Sequence, residues 1–322
     1  MSESKSDIPL DIGSVVLIIS AAILLKFGIM LYGYASPLGS PITLLSIWGI
    51  YGLVFLLILA GILRVDLTKW GRPLSYVTLA MTFAAITVAL LLNPTRDAIG
   101  TDALLFSQYS VDLLLQGTNP YAHSMEPAFS KYPIDKSFVT YRVDGTTVST
   151  LSYPVLSVLY YLPQSLLGIE NLNLTTIIVL YLVLVFLVIE SPPELALLPF
   201  AVMFANNDLT HFSYGGVFDI LWVLPLLLSM RYWYDDHLPL AAIFAGLAFA
   251  TKQTPWFIGP YLAIWLYMES DTLHTFGRKA STCLSYGFVA FFIPNLPFLI
   301  DSPRGWLTSV VTPVAGGTAL VK

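Results

Sequence analysis

The carboxylate of Asp102 stands near the start of a long polar segment in an otherwise apolar chain. The segment runs from Asn93 to Ser152, and Asp102 directly follows Thr101, a residue type that caps helix N-termini. The pattern therefore places Asp102 in the first turn of a helix, where the helix dipole favours the ionised carboxylate. Such a group can accept a proton or bind a cation. The simpler interpretation is that it only stabilises a helix start.

Lys252 lies in the middle of the apolar run Pro239–Met268. An ammonium group in such a run is costly when it has no partner, so it marks a functional position by default. A proline inside the run predicts two helices that meet at a break near Lys252. The alternative is a structural ion pair with Asp208 or Asp219.

A further group of polar residues separates two apolar runs, and its members are Asn206, Asn207, Asp208, His211, Tyr214 and Asp219. These side chains could form the wall of a sugar or phosphate site, or they could form an ordinary solvated turn. Arg304 follows the last apolar run. It is either a phosphate contact or a charge at the rim.

Asp102, Asp97 and His123 together offer ligands for a divalent cation, because hard cations prefer carboxylates. We assign no metal ligand and no certain cofactor from this pattern, and a divalent metal stays an open alternative. Cys283 is the single cysteine, so one chain cannot contain a disulfide framework or a CxxC metal site. It is expected to be an inert thiol in an apolar run.

The composition identifies the broad class of protein. Of the 322 residues, 56% are hydrophobic and 11% are charged, and the formal net charge is -5. Soluble domains carry about 25% charged residues. The composition therefore excludes a soluble globular enzyme, a disordered chain and a nucleic-acid binder with a basic face. The apolar runs are continuous rather than alternating, which favours a helical membrane protein over a β-barrel.

Apolar runs near the length that crosses a bilayer, about 20 residues, predict the membrane spans. The runs are Ser14–Tyr34, Pro41–Leu63, Leu74–Leu92, Tyr153–Gly168, Leu174–Ile189, Leu195–Ala205, Phe212–Met230, Pro239–Met268 and Cys283–Ile300. The predicted fold class is all-α, a polytopic transmembrane helical bundle. Its segments are a three-span region at residues 1–93, a large loop at 94–152 and the remaining bundle at 153–322, which stops without a closing helix and could be truncated.

Basic residues beside the runs predict the orientation of the chain in the cell membrane, because cytoplasmic loops are enriched in them. The residues used are Arg64, Lys69, Arg72, Arg278 and Lys279. The large loop and the tip at Lys252 then lie on the outer face. Four apolar runs separate Ser152, outside, from Arg231, inside, although the number of crossings must be odd. Leu195–Ala205 is the shortest run and is predicted to be re-entrant.

The large loop is expected to carry an amphipathic helix in the membrane interface, between Thr101 and the C′ residue Gly117. Gln108, Asp112 and Gln116 recur at every fourth position and form its polar stripe. An Asn-Pro turn follows at Asn119, and a later helix opens at Tyr153-Pro154.

The order of these motifs is similar to the GT-C membrane glycosyltransferases, and most similar to glycosyltransferase family 87 and the protein-mannosyltransferase-like families. The pattern is an Asp at the start of the first outer loop, a Tyr, a G-x-NPY turn and a proline-led helix. The matching positions in this chain are Asp102, Tyr109, Gly117, Asn119, Pro120, Tyr121, Tyr153 and Pro154. Further along, a polar turn ending in Asp219 and a Gly-rich helix ending in Thr251-Lys252 also resemble the family.

The resemblance implies an inverting enzyme that moves a sugar, mannose or another hexose, from a polyprenyl (dolichyl) phosphate carrier. The acceptor would be a lipid-linked glycan, a glycolipid or a protein at the extracytoplasmic face. Asp102 would be the general base, and the cation Lys252 would hold the departing phosphate. The predicted substrate-binding residues are Asp97, Tyr109, Asn119, Tyr121, His123, Asp208, His211, Asp219, Lys252, Gln253 and Arg304.

The alternative function is a membrane transporter or another non-catalytic membrane protein. A transporter would gather Lys and Asp near the bilayer midplane within broken helices, ideally in two related halves. The break at Lys252 fits that pattern, but the sequence contains no second half with a matching break. The chain also lacks a Gly-rich nucleotide-binding loop, which fits a lipid-linked donor.

Overall fold

The computed structural model describes residues 11–35, 40–92, 100–132, 134–142, 145–206, 216–311 and 320–321. The chain divides into two compact units. The first contains residues 1–96 and 180–211, and the second contains residues 97–179 and 212–322. The boundary at residue 179 falls inside a helix.

Helices dominate the described part of the chain. In order they are α1 (Ile12–Ala35), α2 (Pro41–Ile62), α3 (Leu67–Leu92), α4 (Asp102–Leu115), α5 (Ala128–Lys131), α6 (Leu156–Leu159), α7 (Leu162–Leu166), α8 (Asn173–Glu190), α9 (Leu198–Ala205), α10 (Ile220–Tyr234), α11 (Leu238–Thr251), α12 (Gly259–Met268), α13 (Leu273–Asp301) and α14 (Pro303–Val310). Short 3-10 helices lie at Pro120–Ala122, Lys136–Phe138, Pro193–Leu195 and Thr254–Ile258. The two-residue strands β1 (Tyr141–Arg142) and β2 (Leu320–Val321) pair in antiparallel fashion.

Five of the described helices, α1, α2, α3, α8 and α13, are long and apolar enough to cross a membrane. These candidate spans are consistent with the membrane localisation that the composition predicted. The helix α13 begins at Leu273, ten residues before the predicted run, and the basic pair Arg278 and Lys279 lies in its first turns rather than in a loop. Only 11% of the most apolar stretch of α13 is buried against the described part of the chain. Most of this stretch is therefore available to contact lipid.

The span predicted at Tyr153–Gly168 is wrong. The segment forms two short helices, α6 and α7, because it contains two helix-breaking features. Pro163 at the start of α7 cannot continue a preceding helix, since its ring clashes with the carbonyl four residues earlier. Gly168 ends the segment with a left-handed φ of 73°.

The predicted break near Lys252 is confirmed. The helix α11 ends at Thr251, and Lys252 adopts an extended conformation with φ -153° and ψ 158°. A 3-10 turn containing Pro255 follows before α12. Proline removes one helical hydrogen bond and clashes with the carbonyl four residues earlier, which disfavours a continuous helix here, and an irregular stretch of backbone carries Lys252.

In the first unit, α9 has 8 residues and is too short to cross a bilayer. It ends at Ala205, whose carbonyl accepts a hydrogen bond of 2.7 Å from Lys26 Nζ in α1. A cation at a helix C-terminus offsets the partial negative charge of the last carbonyls. Arg72 acts in the same way and donates to the carbonyls of Ile189 and Ser191 at the end of α8, at 3.0 and 3.1 Å.

The helix predicted in the large loop is confirmed as α4. The Thr101 side chain accepts from the backbone N–H of Leu104, and Gly117 follows the helix with φ 71°. Its apolar residues, among them Leu105 and Val111, are buried against the rest of the second unit. Asp112 in the predicted polar stripe accepts from Lys131 Nζ at 2.6 Å and also from the hydroxyl of Tyr132.

Two glycines allow α11 and α13 to pack closely in the second unit. A Cβ at position 246 would lie 2.3 Å from the Gly287 carbonyl oxygen and 2.9 Å from Ala290 Cβ. Small residues at such crossings let helix backbones approach, as is common in membrane proteins. This packing positions the end of α11, and therefore Lys252.

Replacing Gly246 by Ala is expected to lower the free energy of unfolding by about 1–3 kcal/mol, because the added methyl group must separate two packed backbones. Gly277→Ala is the matched control on α13, where a Cβ meets nothing within 4 Å. The control should be neutral or gain about 0.5–1 kcal/mol. Thermal denaturation of the purified chain in detergent measures both. Equal stability of the two variants would contradict the close crossing.

Candidate functional site

Asp102 is held at the N-terminus of α4 by its own contacts. Its Oδ2 accepts a hydrogen bond of 2.7 Å from the backbone N–H of Thr140. Asp102 is partly buried. One oxygen is thus fixed by the backbone, and the other has capacity for a further proton or cation.

Lys252 and Asp219 form an ion pair. Lys252 Nζ lies 2.7 Å from Asp219 Oδ1, and the two side chains are 19% and 40% exposed. The same oxygen accepts from Trp222 Nε1 at 3.1 Å, so the indole fixes the carboxylate toward the ammonium. The structure therefore selects Asp219 as the partner, and Asp208 lies outside the described residues.

Tyr153 lies close to Lys252 and within electrostatic reach of Asp102 and Asp219. Lys252 Nζ lies 5.6 Å from the centre of the Tyr153 ring and 5.4 Å from that of Phe218, both within reach of cation–π attraction. The two rings meet edge to face at 4.8 Å. Burial raises the pKa of the Tyr153 hydroxyl, and the negative charges of Asp102 and Asp219 raise it further. Both carboxylates thus act on one phenol, which stays protonated at neutral pH.

The Asn119-Pro120-Tyr121 turn connects the end of α13 with the backbone of Tyr153. Asn119 Nδ2 donates to Asp301 Oδ2 at 2.8 Å and to the Phe298 carbonyl at 3.2 Å, which docks the turn on the end of α13. The Tyr121 hydroxyl donates to the backbone carbonyl of Tyr153 at 2.6 Å. Tyr121 is buried, and this burial raises the pKa of its hydroxyl. Both residues, predicted as substrate ligands, here bind the protein itself.

Gln253 also holds the backbone together. Its Nε2 donates to the carbonyls of Ser152 and Val310, at 2.7 and 2.9 Å, and the side chain is buried. In the structure Gln253 thus binds the backbone, and its role in substrate binding stays a prediction. Asn295 acts similarly in α13: its Oδ1 accepts from the backbone N–H of Val155 and from Trp306 Nε1, both at 3.1 Å.

The other predicted site residues are not gathered at this cluster. His123 is exposed beyond the turn, and Arg304 is exposed on the first turn of α14. Tyr109 is partly buried on α4, two turns after Asp102. Asp97, Asp208 and His211 lie outside the described residues. The described ranges contain no group of three or more His, Cys, Asp or Glu side chains that could hold a metal ion.

The sequence analysis left Tyr153 and Phe218 out of the site, although Tyr153 was noted as a helix start. The sequence indicated these two residues only indirectly, because Tyr153 precedes Pro154 and Phe218 precedes Asp219, and both of those positions had been noted. The resulting cluster combines two carboxylates, an ammonium and a phenol beside an aromatic surface. Such groups can accept a proton, neutralise an anion and contact the apolar face of a sugar ring.

Comparisons of the chain with known protein families, with curated proteins and with solved structures found no match.

Replacing Gln253 by Met should lower the free energy of unfolding by about 1–3 kcal/mol, because two buried carbonyls lose their donor. Gln116→Met is the matched control, since Gln116 is exposed at the end of α4. That change should stay within about 0.5 kcal/mol. Denaturation midpoints in detergent check both variants. If Gln253→Met has the stability of the control, the hydrogen bonds to Ser152 and Val310 do not stabilise the fold.

Proposed function

We propose that the chain is an integral-membrane, inverting glycosyltransferase of the GT-C type. It transfers a hexose such as mannose from a polyprenyl phosphate carrier to an acceptor hydroxyl at the extracytoplasmic face. The observation that carries the proposal is the cluster of Asp102, Tyr153, Asp219 and Lys252 in one unit. These residues occupy the positions at which the sequence resembles the family, although they come from four separate parts of the chain.

Asp102 is the proposed general base. In the transfer, the acceptor oxygen forms a bond to the anomeric carbon while the bond from that carbon to the phosphate oxygen breaks. The acceptor proton passes to a carboxylate oxygen of Asp102, and the carrier leaves as polyprenyl phosphate. Because Thr140 binds one oxygen of Asp102, the carboxylate is held in one orientation before the acceptor arrives.

Lys252 is the proposed partner of the donor phosphate. Its ammonium is the cation of the described cluster, and its position at a helix break leaves it 19% exposed. In the structure Asp219 neutralises it, so an arriving phosphate must share or replace that carboxylate. Proton donation and charge neutralisation at a leaving phosphate are the interactions that accelerate such transfers.

The membrane spans suit a donor that is itself a lipid. A polyprenyl phosphate stays in the bilayer while its headgroup lies at the interface, and the exposed apolar side of α13 ends beside the turn that carries Asn119. The acceptor is a lipid-linked glycan, a glycolipid or a protein that reaches the same face. The interfacial location of α4 belongs to the same proposal.

A transporter is the second candidate, and the broken helix at Lys252 favours it. Irregular backbone with a charged pair at the junction of α11 and α12 resembles the ion sites of secondary transporters. The two candidates differ in one requirement. Only the enzyme needs a base that is separate from the ion pair, as Asp102 is.

The test is sugar transfer in membranes that contain the chain, with radiolabelled polyprenyl-phosphate mannose and glucose supplied separately and a mixed lipid and glycan acceptor pool. Asp102→Asn is expected to lower the transfer rate about 10²–10⁴-fold, because a positioned base contributes that factor. The control is Asp135→Asn, in which the remaining Oδ1 can still accept from Ser137. Its rate should equal that of the unaltered chain.

Lys252→Met is expected to weaken transfer by removing the cation that faces the phosphate. Equal protein amounts, checked by immunoblot, are required for each comparison. A full rate in Asp102→Asn would remove Asp102 as the base. Transfer from neither donor by the unaltered chain, together with uptake of a solute in proteoliposomes, would support the transporter instead.

A further inference from the structure

Thr101 and Gly216 join the two segments that carry the carboxylates of the site. The Thr101 hydroxyl donates a hydrogen bond to the Gly216 carbonyl, across 115 positions of sequence. The same oxygen accepts from the backbone N–H of Leu104 at 3.2 Å. Thr101 is thus both the cap of α4 and one half of a clamp between two loops.

The other half of the clamp requires glycine. Gly216 has φ 96°, a conformation that L side chains rarely adopt. A Cβ at this position would lie 2.9 Å from the backbone nitrogen of Gly100 and 3.0 Å from that of Thr101. Backbone atoms cannot move aside as a flexible side chain can, so any larger residue would separate the loops.

The clamp lies next to the reacting groups on both sides. Asp102 directly follows Thr101, and Asp219 lies three residues after Gly216. Between them Phe218 is 1% exposed and packs on the Tyr153 ring, so the short connection has little freedom. Asp219 in turn binds Lys252 at 2.7 Å. A shift of one loop against the other would therefore change the placement of the base relative to the cation.

We infer that Thr101 is a positioning residue, which with Gly216 sets the placement of the base Asp102 relative to the Asp219–Lys252 pair. The inference rests on the proposed glycosyl transfer. Capping of α4 alone does not explain the pattern, because an N-cap needs only an acceptor, whereas the contact with Gly216 needs a donor. A hydroxyl supplies both, and this difference allows the two roles to be separated.

Substitutions at position 101 separate the clamp from the cap. Thr101→Asp keeps a strong N-cap acceptor but has no hydrogen to donate to the Gly216 carbonyl. Thr101→Ser keeps both functions and is the conservative rescue. Gly216→Ala breaks the clamp from the opposite side without a change of charge. Its control is Gly168→Ala, at a glycine with φ 73° where a Cβ meets nothing within 4 Å.

The first measurement is transfer from radiolabelled polyprenyl-phosphate mannose by the full chain in detergent, with kcat and KM determined separately. Thr101→Asp and Gly216→Ala are each expected to lower kcat about 10²-fold, because a misplacement of about 1 Å costs that factor. KM for the donor should stay close to that of the unaltered chain. Thr101→Ser should restore most of kcat, and Gly168→Ala should affect stability but not kcat.

The second measurement is backbone hydrogen–deuterium exchange, which does not require activity. Exchange over residues 216–222 should accelerate in Thr101→Asp and Gly216→Ala, while the first turn of α4 stays protected in Thr101→Asp. A normal kcat in Thr101→Asp, a failure of Thr101→Ser, or a loss of kcat without faster exchange over 216–222 would each overturn the inference. If the unaltered chain transfers sugar from neither the mannose nor the glucose donor, the proposed function fails and the catalytic part of the inference fails with it, whereas exchange still shows whether Thr101 and Gly216 hold the two segments together.

Discussion

The ion pair between Lys252 and Asp219 is the contact on which the candidate site in the second unit depends. A lysine inside a long apolar run is unfavourable without a partner, and removal of one member would leave an uncompensated charge. The break between α11 and α12 carries the ammonium to the carboxylate, and Trp222 fixes that carboxylate with a hydrogen bond of 3.1 Å. The rings of Tyr153 and Phe218 complete the surroundings of the charge. The Lys252 ammonium, which would be unfavourable in an apolar run without a partner, is thus held in place and stays partly exposed.

The irregular backbone around this pair is stabilised by side chains that satisfy its carbonyls and N–H groups. Non-helical backbone in a membrane protein is tolerated only where such groups find partners. Gln253 binds the carbonyl of Ser152 and that of Val310 at the end of α14, Asn295 accepts from a backbone N–H and an indole, and Tyr121 binds the carbonyl of Tyr153. These hydrogen bonds stabilise the backbone around the candidate site. The polar residues of this unit therefore divide into a supporting set and a smaller set that is available for chemistry.

Sequence reasoning was most accurate for the long, continuous apolar runs. The helices α1, α2 and α8 end within a few residues of the predicted limits, because their length and composition leave no other stable conformation in a bilayer. It was least accurate at residues 153–168, where apolar content suggested a span, but the segment forms two short helices, with Pro163 at the start of the second and Gly168 at the end of the segment. The start of α13 was also missed, because polar and basic residues extend the helix beyond its apolar part. Apolar content indicates which residues favour lipid over water, whereas the ends of a helix depend on local residues such as proline, glycine and capping side chains.

The sequence by itself determined the apolar helices that are long enough to cross a membrane, the cap of α4 at Thr101 and the break at Lys252, because composition and local backbone preference act over a few residues. Only the tertiary structure decided the pairings. It selected Asp219 for Lys252 at a separation of 33 residues, brought Tyr153 within electrostatic reach of both Asp102 and Asp219, and made Gln253 a link between Ser152 and Val310. It also joined Thr101 to Gly216. Such contacts depend on how distant segments pack, and a polar side chain carries no local signal that distinguishes a ligand for substrate from a ligand for the protein's own backbone.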